Sequence, residues 1–346
     1  MNAYGVYVIY IKPSMPEWLH ERAARLWTRL HAQRYLPQWL HHRCAGLNTR
    51  YFLWRIQPLP TSVLGPLWRR SRNVVEVDIT YGCNLKCFNC NRSCQQDPTS
   101  DRMTTEQIGH FLEESRGRGI RWKRIRLLGG EPTSHPQFLE IVNLVLEYRD
   151  TFSPRTRIEI VTNGYGERVH RMRSLIPPSV RVINTAKVTN VQQEFQTFNV
   201  APIDVEGYKR ADFSNGCLVT QYCGIGVTPY GYYPCAVAGA IDRTFGLNLG
   251  RKTLPERHDA MKEELRAFCA LCGHFKPPTG ERLNGPVMSP TWAQAYARSL
   301  QNPAKLSRLA EHQELVQIGL EKTERRHKLR VKATSDSELQ FSDVQR

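Results

Sequence analysis

No run of eighteen apolar residues occurs in this 346-residue sequence, which excludes a spanning helix of ordinary length. The opening stretch, Tyr4 to Ile11, has no basic segment ahead of it and no small-residue cleavage site. It reads as a strand rather than a secretion signal. Ten cysteines are too few for a disulfide scaffold, and all but Cys44 fall in two groups, 83–94 and 217–272. Grouped thiols of this kind serve metals in a reducing compartment, so the expected location is the cytoplasm. Acidic residues are scarce at one end. Residues 1–73 hold only Glu17 and Glu21 against eleven basic side chains, ten of them arginine, in a chain of formal charge +16. Five of the seven tryptophans (Trp18, Trp27, Trp39, Trp54, Trp68) lie there as well. The mixture suits an anionic partner such as a membrane surface, RNA or an acidic peptide. The plainer reading is a helical extension whose tryptophans pack on the rest of the chain while its arginines stay solvated. Its clearest helical pattern spans 14–36, with Leu19, Ala23, Leu26, Trp27 and Leu30 on one side.

What is there begins at Val74. The run 74–79 alternates as a strand does and ends at Gly82, where the loop beyond it delivers Cys83, Cys87 and Cys90 as C-x3-C-x2-C. Three thiolates so placed can hold three irons of a [4Fe–4S] cluster and leave the fourth open to another ligand. Cys94 extends the array to four thiols, which suits a closed zinc site or an electron-transfer cluster equally well. Downstream, 124–128 reads as a second strand running into Gly129-Gly130-Glu131-Pro132. The glycines permit close backbone approach and positive φ, and Glu131 offers a carboxylate suited to an ammonium group.

The cysteine array and the Gly-Gly-Glu-Pro element together resemble the radical S-adenosylmethionine (radical SAM) superfamily over roughly residues 73–200. The resemblance implies a cluster held by Cys83, Cys87 and Cys90, its open iron chelated by SAM, with the amino group bound at Gly129, Gly130, Glu131 and Pro132. Cys94 is then not a ligand. One position departs: Asn89 stands where the family often has an aromatic residue, and Phe88 lies one earlier. The implied chemistry is reductive cleavage of SAM to a 5′-deoxyadenosyl radical that abstracts hydrogen from a peptide or small-molecule substrate. It needs a low-potential electron donor, flavodoxin or ferredoxin.

From residue 73 the pattern alternates strand and helix: a helix over 104–114, one over 136–148, strands over 157–161 and 179–183, a fifth strand at 198–200 and a sixth near Ile225. This is an α/β chain, and the resemblance implies a partial (β/α)6 TIM-like barrel. Thr162 and Asn163, at the end of the third strand, are cofactor-site candidates. A hairpin turns at 229–231, a helix is expected over 255–267, and Cys269 and Cys272 form a C-x2-C pair. Cysteines flanking a hairpin together with such a pair resemble the auxiliary-cluster domain of the SPASM and twitch subgroups. That resemblance implies a second [4Fe–4S] cluster on Cys223, Cys235, Cys269 and Cys272, with zinc as the rival metal. Cys217 is left out, and it and Cys94 remain candidates for a hydrogen donor or substrate anchor. The expected organisation is a basic extension (1–72), a radical SAM core (73–215), a small cluster-binding domain (216–285) and a helical segment with a charged, disordered tail (286–346). Two rival readings are a basic zinc or iron–sulfur protein that grips RNA, and a radical SAM enzyme acting on nucleic acid.

Overall fold

A computed structural model describes residues 47, 49–191, 194–195, 198–277, 283–284 and 288–301. The helix expected over 14–36, Cys44, the anionic-partner segment up to residue 46 and the charged tail lie outside the described residues. Helix α1 (Pro58–Leu64) leads into strand–helix units: β1 (Val74–Thr80), α2 (Thr105–Gly117), β2 (Arg124–Gly129), α3 (Phe138–Phe152), β3 (Arg157–Thr162), α4 (Glu167–Ser174) and β4 (Arg181–Asn184). After β5 (Glu194–Phe195) come α5 (Leu218–Cys223), β6 (Ile225–Thr228), β7 (Gly231–Tyr233), α6 (Ala236–Phe245), α7 (Lys262–Cys269), β8 (Leu283–Asn284) and α8 (Pro290–Leu300).

Six strands form one sheet in the order β4-β3-β2-β1-β6-β7. All neighbours are parallel except β7, which turns back on β6 as the expected hairpin. Period-two alternation sends Val75, Val77 and Ile79 outward into the main core. There they meet Ile108, Phe111 and Leu112 of α2 and Ile141, Val142 and Val145 of α3. The other face of β1 carries Glu76, Asp78 and Thr80, all buried. Helix α2 starts where Thr104 predicts. Its hydroxyl accepts from the Gln107 amide at 3.2 Å while Gln107 Oε1 accepts from the Thr104 amide at 3.0 Å, a reciprocal cap.

Two expectations are corrected. Residues 198–200 form no strand, because Phe198 turns into a second core against Trp292, with ring centroids 4.7 Å apart. Its carbonyl accepts from the Gly273 amide and that of Asn199 from Ser289, so this backbone bonds to the C-terminal region rather than to β4. The short β5 pairs antiparallel with β8 in a separate ribbon. Next, the helix expected from Pro255 starts only at Lys262. Met261 is left-handed (φ 49°), and Asp259, paired with Arg251, accepts from its amide. Residues 49–72 pack against the C-terminal region. Phe52, Ile56, Leu67 and Trp68 share a third core with Leu265, Cys269 and Phe275. Trp68 therefore packs as the plainer reading requires, whereas Trp54 is 52% exposed. Among the described residues no helix is long and apolar enough to cross a membrane.

Candidate active site

The ends of β1 and β2 are drawn together where the cysteine loop leaves. The Gly130 amide donates to the Thr80 carbonyl at 2.7 Å and the Glu131 amide to that of Gly82 at 2.9 Å. Only glycine fits this approach. A Cβ on Gly129, whose φ is +136°, would stand 2.2 Å from the Thr80 oxygen, and one on Gly130 would stand 2.2 Å from the Gly82 oxygen. The backbone that the glycine pair approaches is thus that of the cysteine-bearing strand end. Gly130→Ala is expected to lower the melting temperature by at least about 5 °C, readable by calorimetry.

Glu131 is not the open carboxylate that the sequence suggested. It is fully buried, and its Oε1 accepts from the Thr133 amide (3.2 Å), the Thr133 hydroxyl (2.7 Å) and the Thr162 hydroxyl (2.8 Å). Its Oε2 accepts from the Asn163 amide at 2.8 Å. The side chain therefore buckles β2 to β3, and what faces outward at this corner is peptide backbone. Thr162 and Asn163 are spent on the same buckle. The Asn163 side-chain amide also donates to Asn84 Oδ1 at 2.7 Å, and Asn84 donates to the Tyr165 carbonyl at 2.7 Å. Asn84 sits beside Cys83, so the β3 end is fastened to the thiol loop, a tie that sequence spacing did not reveal.

Cys83 is exposed, and Cys87, Cys90 and Cys94 are partly buried, all as free thiols. Cys83 lies within electrostatic reach of Cys90, Cys87 and Glu131. Cys90 is shifted toward its thiolate form. The Cys94 thiol hydrogen-bonds to it and brings its pKa down to about 6, while the same bond holds Cys94 well above the ordinary value. Three soft donors on one loop, open to solvent at Cys83 and next to a backbone corner, match the donor set of an iron–sulfur cluster with one iron free.

Behind the loop lies a buried ion ladder. Arg92 Nε meets Asp78 at 3.1 Å and its Nη2 meets Glu76 at 3.4 Å. Arg126 bridges Glu76 and Glu159, both at 2.9 Å, and Arg181 reaches Glu159 at 3.5 Å. These charges line the sheet face opposite the hydrophobic core. Burial pushes the Asp78 carboxyl up to about 6, even against Arg92.

The second cysteine group is placed differently from its sequence reading. Cys217, Cys235, Cys269 and Cys272 are all buried, and each of the last three is influenced by Cys217. Cys223 is not among them. It ends α5 on the charged face, hydrogen-bonded to Glu76 near Arg92 and Arg126. The six-residue helix between Cys217 and Cys223 carries the two thiols to different surroundings. Closeness of Cys223 to the hairpin in sequence was the misleading signal. Burial raises the pKa of all four grouped thiols, so a positively charged metal core is what would draw off their protons. Four buried, unpaired thiols fit an iron–sulfur cluster as a donor set. Among the described residues no three His, Cys, Asp or Glu side chains are placed to hold a single metal ion.

Residues 77–185 match the Radical SAM superfamily. The chain is 34% identical over 74 residues to a protein described as "Probable GTP 3′,8-cyclase" from Thermococcus kodakarensis, 21% of this chain and 24% of that one. It is 32% identical over 88 residues to "AdoMet-dependent heme synthase" from Methanosarcina barkeri, 25% of this chain and 23% of that one. Among solved structures it is similar to BtrN in complex with AdoMet and 2-DOIA, with a TM-score of 0.39 and 16% identity over 58% of this chain and 91% of that chain. The chain thus spans about a quarter of the length of the curated relatives it matches. The thiol loop, the glycine corner and the strands between them all lie in the segment, residues 77–185, that matches the Radical SAM superfamily.

Proposed function

We propose that Cys83, Cys87 and Cys90 hold a [4Fe–4S] cluster whose fourth iron is left to SAM, and that Cys217, Cys235, Cys269 and Cys272 hold a second cluster. The observation that carries this reading is the hydrogen-bonded junction of Gly130 and Glu131 with Thr80 and Gly82, which sets the glycine corner directly beside the thiol loop. When bound, the reduced cluster and SAM supply a 5′-deoxyadenosyl radical able to take hydrogen from an unactivated carbon. The chain's own residues do the positioning. Backbone at 129–131 offers carbonyl groups to the SAM ammonium, and Glu131, Thr162 and Asn163 hold that corner rigid. Asn84 fixes the start of the loop and Arg92 its far end. The charged inner face, with Arg126 paired to Glu76 and Glu159 and Arg92 to Asp78, favours a polar substrate, a peptide or a small molecule. The nucleotide in the cyclase relatives' description belongs to proteins matched over only a quarter of their length.

Anaerobic reconstitution followed by metal analysis and a 5′-deoxyadenosine assay tests this reading. The expected result is about eight irons per chain and 5′-deoxyadenosine formed on reduction with SAM. Two zinc ions with no iron would instead favour the RNA-gripping reading, and inhibition of 5′-deoxyadenosine formation by tRNA would favour a nucleic-acid substrate. Cys217→Ala should lose about four irons, whereas Cys223→Ser should keep them all. The reverse outcome would restore Cys223 to the ligand set.

A further inference from the structure

Helix α6 touches both cysteine sites. Its N-cap is Cys235 of the buried quartet, and two turns on it presents Arg243 to the loop that carries the first three cysteines. The separation along the helix is roughly 12 Å. Arg243 is almost wholly buried (side chain 4% exposed) and pairs with Asp97, itself fully buried, at 2.9 Å. Its second terminal nitrogen donates to the carbonyls of Arg92 (3.0 Å) and Ser93 (3.4 Å), and the first also donates to that of Asp97. The guanidinium plane lies 4.8 Å from the centre of the Tyr81 ring, two residues before Cys83. One side chain therefore grips the cysteine loop at its root and beyond Cys90. Neighbours reinforce the grip. Thr244 donates to Asp97 at 3.0 Å, and Ser299 donates to it at 2.8 Å. The Ser93 hydroxyl meets that of Tyr296, on α8, at 2.8 Å, and the Ser93 amide donates to the Cys90 carbonyl at 2.8 Å. Apart from the Ser93–Cys90 bond, each of these contacts has only one side in the matched 77–185 segment. They join that domain to the C-terminal region.

We infer that Arg243 is a positioning residue through which the buried quartet sets the geometry of the SAM-binding loop. This rests on the two-cluster reading above. The helix is stiff and short, so an unfilled quartet that lets the Cys235 end move also moves the Arg243 end, and the carbonyls of residues 92, 93 and 97 with it. A charged, planar donor is needed because three carbonyls and a carboxylate converge from different directions. Lysine keeps the ion pair with Asp97 and loses part of the carbonyl set.

The test uses the reconstituted full-length chain and four variants: Arg243→Gln, Arg243→Lys, Asp97→Asn and the pair Cys269→Ser with Cys272→Ser. Iron content, the electron paramagnetic resonance spectrum with and without SAM, and amide hydrogen exchange of peptides from 83–97 are read together. Arg243→Gln and Asp97→Asn are expected to keep the iron of both sites. They should weaken SAM binding at least tenfold, blunt the SAM-induced spectral change and speed exchange in 83–97 about tenfold, with α3 unchanged. Arg243→Lys should fall between them and the wild type. Loss of the quartet ligands should speed exchange in the same peptides. Wild-type SAM binding and loop exchange in Arg243→Gln would overturn the inference, as would exchange that rises equally in α3, since that is general loosening. Wild-type protein that takes up no iron would overturn the two-cluster reading and this inference with it, and metal analysis alone shows which has failed.

Discussion

Alanine at Cys83, Cys87 and Cys90 together removes about four irons and abolishes 5′-deoxyadenosine formation, while the quartet keeps its own. On the function proposed above the expected loss is complete, because no step of the radical chemistry would proceed without a cluster on these thiols. The fold should survive the change. The three side chains lie on a loop beyond β1, none belongs to the hydrophobic core clusters, and the strand ends are held by backbone bonds that do not involve sulfur. Iron analysis and chromatography of the SAM cleavage products check both halves, and the circular dichroism spectrum checks the fold. A triple variant that still forms 5′-deoxyadenosine would mean that the cleaving cluster sits elsewhere.

Arg92→Leu should destabilise the protein by about 3–5 kcal/mol at neutral pH, because it strands Asp78 and Glu76 in the interior without their partner. Arg126 continues to neutralise Glu76, so the burden falls on Asp78, which has no other ion-pair partner among the described residues. The pH dependence has a definite sign. The Asp78 pKa is raised from 3.8 to about 6 with Arg92 present, so the folded chain binds that proton more tightly than the unfolded one. Stability from this group is greatest below the unfolded value and is lost as pH rises through the folded value. With the guanidinium gone the rise is unopposed. The deficit of the variant should therefore shrink as pH is lowered from 7 to about 5. Denaturant titrations at several pH values read it, and a deficit that grows on acidification would contradict the role assigned to Asp78.

How much of this was legible in the chain depends on whether the signal was local. Alternation at 74–79, the helix start at Thr104 and the 229–231 turn are short-range features, and each appears where the residues predict it. The glycine pair was legible as a need for close approach, but what it approaches, Thr80 and Gly82, lies nearly fifty residues away and had no local mark. Glu131 illustrates a second limit. Its type suggested an ionic contact with a ligand, and only the fold shows four donors already converging on it. Choosing between Cys217 and Cys223 required knowing where α5 turns, because both lie close to the hairpin in sequence. Helix α6 went unread because its small-residue run, Ala236 to Ala240, carries little periodic contrast. Its tight packing on β6, where a Cβ on Gly226 would meet the Ala236 backbone at 2.3 Å, is a tertiary fact. Arg243 was one arginine among many until that helix placed it on the loop.

The most direct test of the open iron is the Cys94→Ala variant of the reconstituted chain, assayed for iron and for 5′-deoxyadenosine. Cys94 hydrogen-bonds to Cys90 and lies within electrostatic reach of Cys83, which makes it the candidate to close the site. If SAM occupies the fourth position, the variant keeps about eight irons and still yields 5′-deoxyadenosine. A wild-type chain that forms no 5′-deoxyadenosine, with a Cys94→Ala variant that loses about four irons, would show that Cys94 is a ligand and that no iron stands free.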